Sequence, residues 1–217
     1  MKAITQCLSL LLFAGCSTSF QPCPEGINRL PMYGRAPKCP EQVRADTEFL
    51  AACDKQFPSR KLASEHHVSK GWEYFQQRQL DTAIMRFNQA WLLDSTNATV
   101  YWGFASVLGM RQQYRASVPL FKKYLALNPT EANAWQGLST SYGQMFFQTK
   151  DVALLQNSIE ALKHCVKLAP QNARAYGQLA GAYSYFIQRD SARKYLAIAD
   201  RLNPSAVNPE VRKMLTQ

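Results

Sequence analysis

From residue 64 onward, apolar, small and polar positions recur at a fixed spacing. Tyr101, Trp135 and Tyr176 each open a segment. Four residues later comes a small side chain, Ala105, Ser139 or Ala180, and three after that a large one, Leu108, Tyr142 or Tyr183. Gly71 and Tyr74 hold the same two places in an earlier segment. The second half of each segment gives Ala83, Ser117, Ser158 and Ala192, then Phe87, Phe121, Leu162 and Leu196, then Ala90, Tyr124, Cys165 and Ala199. Segments close at Ser95, Pro129, Pro170 and Pro204. Spacings of three and four put these residues on one helix face. Proline cannot continue a helix, and the Asn-Pro pairs at 128–129 and 203–204 mark turns. The pattern predicts helices over 64–78, 80–94, 98–111, 114–127, 132–149, 151–168, 173–188 and 190–202.

Tyr101 and Trp135 lie 34 residues apart. Aromatic, small, aromatic, Ala, Phe, Ala and Pro at these places resemble the tetratricopeptide repeat (TPR), a 34-residue helix–turn–helix unit. The resemblance implies an all-α fold, a right-handed superhelix (α-solenoid) of about four repeats at 64–97, 98–131, 132–172 and 173–204. Small residues let helices approach where they cross, and large ones fill the grooves beside them. The first segment departs from the pattern. It has His67 where the others have an aromatic, Lys70 where they have Phe104, Leu138 and Leu179, and Ser95 in place of proline. A terminal repeat that meets a cap tolerates such changes. The third segment runs 41 residues from Pro129 to Pro170. The extra seven are close to two helical turns and keep the apolar faces aligned. A longer third helix pair follows, carrying Phe146 and Phe147 past the solenoid edge. Packing of these rings near Val152 and Leu155 is favoured over exposure, since exposed aromatics are selected against.

The ends read differently. Val43, Phe49, Leu50 and Ala52 share one side of a helix over about 41–56, and residues 41–63 form an N-terminal cap. Residues 205–217 supply a C-terminal cap, with a short helix near 208–216 entered through Pro209. Val211, Met214 and Leu215 would close the open end of the stack. Residues 17–40 hold Pro22, Pro24, Pro31, Pro37 and Pro40 with Gly26 and Gly34, so irregular structure is expected. The stretch 16–40 reads as a tether able to span some tens of Å at about 3.3 Å per residue.

The first 15 residues have the form of a secretory signal: Met1-Lys2, an apolar run Leu8 to Leu12, then Phe13-Ala14-Gly15 before Cys16. Small residues followed at once by cysteine resemble the bacterial lipobox, although Phe13 replaces the usual aliphatic residue. The resemblance implies cleavage after Gly15, diacylation of Cys16 and acylation of the new N-terminus. The apolar run is shorter than the ~20 residues a span needs. A lipid-anchored protein of a bacterial envelope membrane is expected, with the outer membrane favoured.

The formal charge is +10. Lysines and arginines are scattered among acids with no basic run, so a solvated basic surface is the main reading, and weak attraction to an anionic membrane the alternative. Export argues against a nucleic-acid partner. Of six cysteines, Cys7 leaves with the signal. Cys39 and Cys53 are about 21 Å apart along a continuous helix, too far for a bridge. Cys23 with Cys39, Cys23 with Cys53, or free thiols remain open. Cys165 falls on a packing position and reads as a buried apolar residue. Zinc-type spacing is absent from the sequence, and adjacent His66 and His67 would point about 100° apart on a helix, so no metal or cofactor is expected.

The sequence contains no G-x-S-x-G, H-E-x-x-H, P-loop or dinucleotide-binding glycine pattern. A binding protein is expected rather than an enzyme. In TPR arrays the first helix of each repeat lines the concave face. By position this implies a partner-binding groove of Trp72, Phe75, Trp102, Ser106, Gln136, Thr140, Gln144, Arg174, Gln178 and Tyr185. Aromatics supply contact area and amides pair with backbone, which suits a protein or peptide. Glycan or peptidoglycan fragments are the alternative ligand. One TPR subgroup clamps a C-terminal carboxylate with paired Lys and Asn. Val68, Trp72 and Gly103 stand at those places here, so that activity does not carry over. Trp135 is expected between helices, and Gly103 to keep the groove wall shallow beside Trp102.

Overall fold

The computed structural model describes residues 22–186 and 188–216. The expected signal at 1–15 and the expected lipidation site Cys16 lie outside them. The described residues contain no strand, and their helices run in antiparallel pairs. In chain order these are α1 (Pro40–Gln56), α2 (Arg60–Gln76), α3 (Leu80–Leu93), α4 (Ala98–Met110), α5 (Tyr114–Leu127), α6 (Ala132–Thr149), α7 (Val152–Leu168), α8 (Ala173–Tyr185), α9 (Arg189–Leu202) and α10 (Pro209–Thr216). The pairs α2/α3, α4/α5, α6/α7 and α8/α9 make the closest contacts.

Local chemistry sets the ends. Side chains of Ser59, Asn97, Asp151 and Asn172 accept hydrogen bonds from the first-turn amides of α2, α4, α7 and α8. The Ser59 cap starts α2 four residues earlier than the repeat spacing implies. α8 stops at Tyr185, three short of expectation. Arg78 and Gln112 hold left-handed backbone in the turns between paired helices, at φ 59° and 60°.

Phe87 and Phe104 are fully buried at the centre of the first two repeats. A Cβ on Gly71 would lie 2.5 Å, and one on Gly103 2.4 Å, from the Phe87 ring. Gly103 therefore seats Phe87 between α2, α3 and α4, which corrects the groove-wall role expected for it. Gly137 does the same for Phe121 at 2.5 Å. Serines at other small positions pair across helices: Ser117 with Ser141 and Ser139 with Ser158, each at 2.8 Å.

The third pair is the long one. α6 and α7 have 18 and 17 residues, against 13 and 14 for α4 and α5. The two phenylalanines divide: Phe146 is buried, while Phe147 stays 43% exposed. Both meet Tyr185 on α8, at 5.8 and 5.3 Å between ring centroids.

α1 packs on the first repeat through Phe49, Leu50 and Cys53. Phe49 meets His67 edge-on at 5.3 Å, so the histidine makes the ring contact with the cap that an aromatic would make there. The expectation of a loose tether is corrected for residues 22–39. They form a strap of two short 3₁₀ turns, Ile27–Arg29 and Pro31–Arg35, laid on α3. Asn88 of α3, wholly buried, donates to the carbonyls of Asn28 and Leu30, both at 2.9 Å. Arg111 donates to the Arg29 carbonyl at 3.1 Å and pairs with Asp81. A Cys23–Cys39 disulfide closes the strap, which decides between the open pairings. Cys53 and Cys165 are free and buried.

Candidate functional site

The first helices of the pairs form one wall: α2 touches α4, and α4 touches α6. The ten residues placed on this wall by the repeat pattern fall into two groups. Near the N-terminal end, Trp72, Phe75 and Trp102 make an aromatic cluster. Trp72 meets Phe75 at 5.3 Å and Trp102 at 4.9 Å, and Trp102 stacks on Tyr124 at 5.3 Å. All three are half-buried, so they contribute to packing and to the surface together. Ser106, also half-buried, follows one turn later on α4.

The second group lies between α6 and α8. Asn172 donates to Gln136 at 3.2 Å, Gln136 to Gln178 at 2.9 Å, and Gln178 to Thr140 at 3.4 Å. These side chains lace the two helices together, so Gln136 is largely spent on the wall itself. Beyond this network opens a cleft of about 520 Å³. Thr140, Gln144, Arg174, Gln178 and Tyr185 line it, joined by Phe147 and by the segment Ser205–Pro209. No acidic side chain is among its lining residues, and Arg174 is their one cation. Tyr185 is 47% exposed there.

The far wall of the cleft is set by two glycines. A Cβ on Gly177 would stand 2.9 Å from the Ala206 carbonyl oxygen, and one on Gly181 3.2 Å from Val211. Their absence of side chain lets the segment after α9 lie directly on α8. Arg212 holds it there, bonding both carboxylate oxygens of Asp200 at 2.8 and 2.6 Å.

No family model matches the sequence, and no curated protein is significantly similar to it. Solved structures do match. MamA shares 23% identity over 78% of this chain and 97% of its own, with a TM-score of 0.59. MamA of Desulfovibrio magneticus RS-1 gives 17% identity over 76% and 97%, with a TM-score of 0.56. TTC0263, a thermophilic TPR protein of Thermus thermophilus, gives 20% identity over 70% and 79%, also at 0.56. The fold is a TPR solenoid.

Within the TPR fold, Trp135 sits as its repeat position implies. It is half-buried, stacks on His164 at 4.3 Å, and donates its indole N–H to the Pro129 carbonyl at 2.7 Å. The approach of Cys53 to His67 is structural. Cys53 Sγ lies 4.0 Å from His67 Nε2. Burial, then Asp54, pushes the Cys53 thiol up, while burial, His66 and Arg86 push His67 down to about 4. A raised thiol beside a poor base yields no thiolate nucleophile. Two contributors to the cleft escaped the repeat pattern. Phe147 sits in the inserted turns, and 205–209 lies after the last repeat. Gly177 and Gly181 were the available signal, since two glycines one turn apart in a helix mark a close approach.

Proposed function

We propose that this chain is a non-catalytic, protein-binding scaffold held by an acyl group on Cys16 at a bacterial envelope membrane. The observation that carries the binding reading is the cleft between α6, α8 and 205–209. It presents two exposed aromatics, Phe147 and Tyr185, an exposed Gln144, and a single cation with no acid among the lining residues. Rigid aromatics with adaptable amides suit an extended peptide, and Arg174 favours one bearing a carboxylate. The TPR fold supports protein partners in general. The anchor reading rests on Ala14-Gly15-Cys16.

A photo-crosslinking residue at Gln144 in living cells should capture a defined protein, and Tyr185→Ala should reduce the yield at least fivefold. Capture of carbohydrate alone, or retention on cell-wall material without a protein adduct, would replace this reading with the glycan one. Separately, Cys16→Ser should abolish incorporation of labelled fatty acid.

A further inference from the structure

The strap changes what an acyl anchor would do. Residues 22–39 are bound to the body, so they do not act as a spacer. From Cys16 to Pro22 the chain spans at most about 22 Å, whatever its conformation. The Cys23–Cys39 bridge holds those two Cα atoms 5.1 Å apart. Arg35 is four residues before Cys39, so it lies within about 20 Å of Cys23. An anchor at Cys16 therefore keeps the strap side of the domain near the bilayer.

That side carries a second cleft, of about 900 Å³, between the strap and the start of α5. Leu30, 47% exposed, and Pro119 give it an apolar rim and floor. Three cations line it, Arg35, Arg115 and Lys123, all exposed. Among the described residues no acidic side chain lines it. The N-terminal end of α5 opens into it and adds the same sign. None of the three pairs a carboxylate among the described residues, Lys123 Nζ lying over the Tyr101 ring at 3.9 Å, whereas Arg29 and Arg111 both meet Asp81.

We propose that this strap-side cleft rests on the headgroups of an anionic bilayer, with Arg35, Arg115 and Lys123 pairing lipid phosphates and Leu30 entering the interface. The choice of membrane as occupant rests on the anchor reading above, through the short reach from Cys16, and on charge complementarity. The inner cleft, lined by α6, α8 and 205–209, is a separate surface left to a partner.

The test uses the full chain carrying Cys16→Ser, so that acylation plays no part and its failure is read independently. Flotation with vesicles of phosphatidylcholine is compared with vesicles containing about one-third phosphatidylglycerol. Anionic lipid should raise binding, and Arg35→Glu/Arg115→Glu/Lys123→Glu should remove that gain. At about fivefold per basic residue the expected loss is roughly a hundredfold. The variant Arg189→Glu/Arg193→Glu/Arg201→Glu makes the same charge change on α9 and should keep most of the gain. Circular dichroism confirms that both variants are folded. Equal loss from the two variants would mean that net charge acts, not the cleft, and overturns the proposal. So would an unchanged strap-side variant, or binding of a poly-glutamate peptide at this cleft with no preference for anionic vesicles.

Discussion

Two glycines on α4 should respond to alanine with opposite signs. At Gly103 the new methyl would lie 2.4 Å from Cε1 and 2.5 Å from Cζ of Phe87. That ring is fully buried, and Gly71 crowds the same edge, its Cβ position 2.5 Å from Cε1, so the ring has little room to yield. Overpacking of this kind costs about 1–3 kcal/mol. A 2.4 Å contact puts the cost in the upper part of that range, about 2–3 kcal/mol, and the alanine's better helix propensity returns up to about 1 kcal/mol, leaving a net loss of about 1–2 kcal/mol. At Gly109 no atom lies within 4 Å of the added methyl, so only the propensity gain remains. Urea unfolding followed by far-ultraviolet circular dichroism reads both, through the midpoint at constant slope. Phe87→Leu then supplies the control. In the third repeat Leu162 replaces the phenylalanine, and the next first helix carries Gln178 where the others carry Gly103 and Gly137. The smaller ring substitute leaves room for a side chain opposite. Gly103→Ala should therefore cost little when combined with Phe87→Leu, giving a coupling of about 1 kcal/mol or more. A Gly103→Ala protein as stable as the parent, or equal losses in both backgrounds, would refute this account of the crossing.

Three further outcomes follow from the N-terminal end of the solenoid. His67, held down to about 4 mainly by burial, stays neutral in the fold while the unfolded chain takes up a proton below about pH 6.5. Stability should then fall as pH drops from about 6.5 to 4, by at most about 2 kcal/mol after allowing for its partial exposure, and His67→Phe should flatten the urea midpoint across that range. Asn88→Ala strips the donor from two strap carbonyls and should cost about 2–3 kcal/mol, read as a lowered urea midpoint. Cys23→Ser/Cys39→Ser opens a loop of 16 residues, worth about 3 kcal/mol of chain entropy, and should make the strap cleavable by protease while the helices stay folded. A strap as resistant as the parent's would show that the bridge is dispensable.

What was legible in the sequence is what repeats. Packing between neighbouring helices depends on residues three, four and seven apart, so Tyr101, Ala105 and Leu108 announce their helix, and the extra seven residues before Pro170 announce a longer pair. The strap was illegible for the opposite reason. Its proline and glycine content correctly excludes long helices, but its binding partner, Asn88, is 60 residues from Asn28. Only the fold makes that side chain's amide available, and only the fold turns Cys53 inward and leaves Cys39 for Cys23. The groove was legible as a list of positions but not as a surface. Register alone cannot tell that Gln136 is spent on Gln178 while Gln144 is exposed. Of the exposed lining residues, Gln144 and Tyr185 hold equivalent places nine residues after Trp135 and Tyr176, so the period announces them. Phe147 stands in inserted turns and Arg35 belongs to the strap, so the period does not announce those. Recognition therefore falls to exposed side chains of both kinds, and substitutions at Gln144 or Arg35 should alter binding with little change in stability.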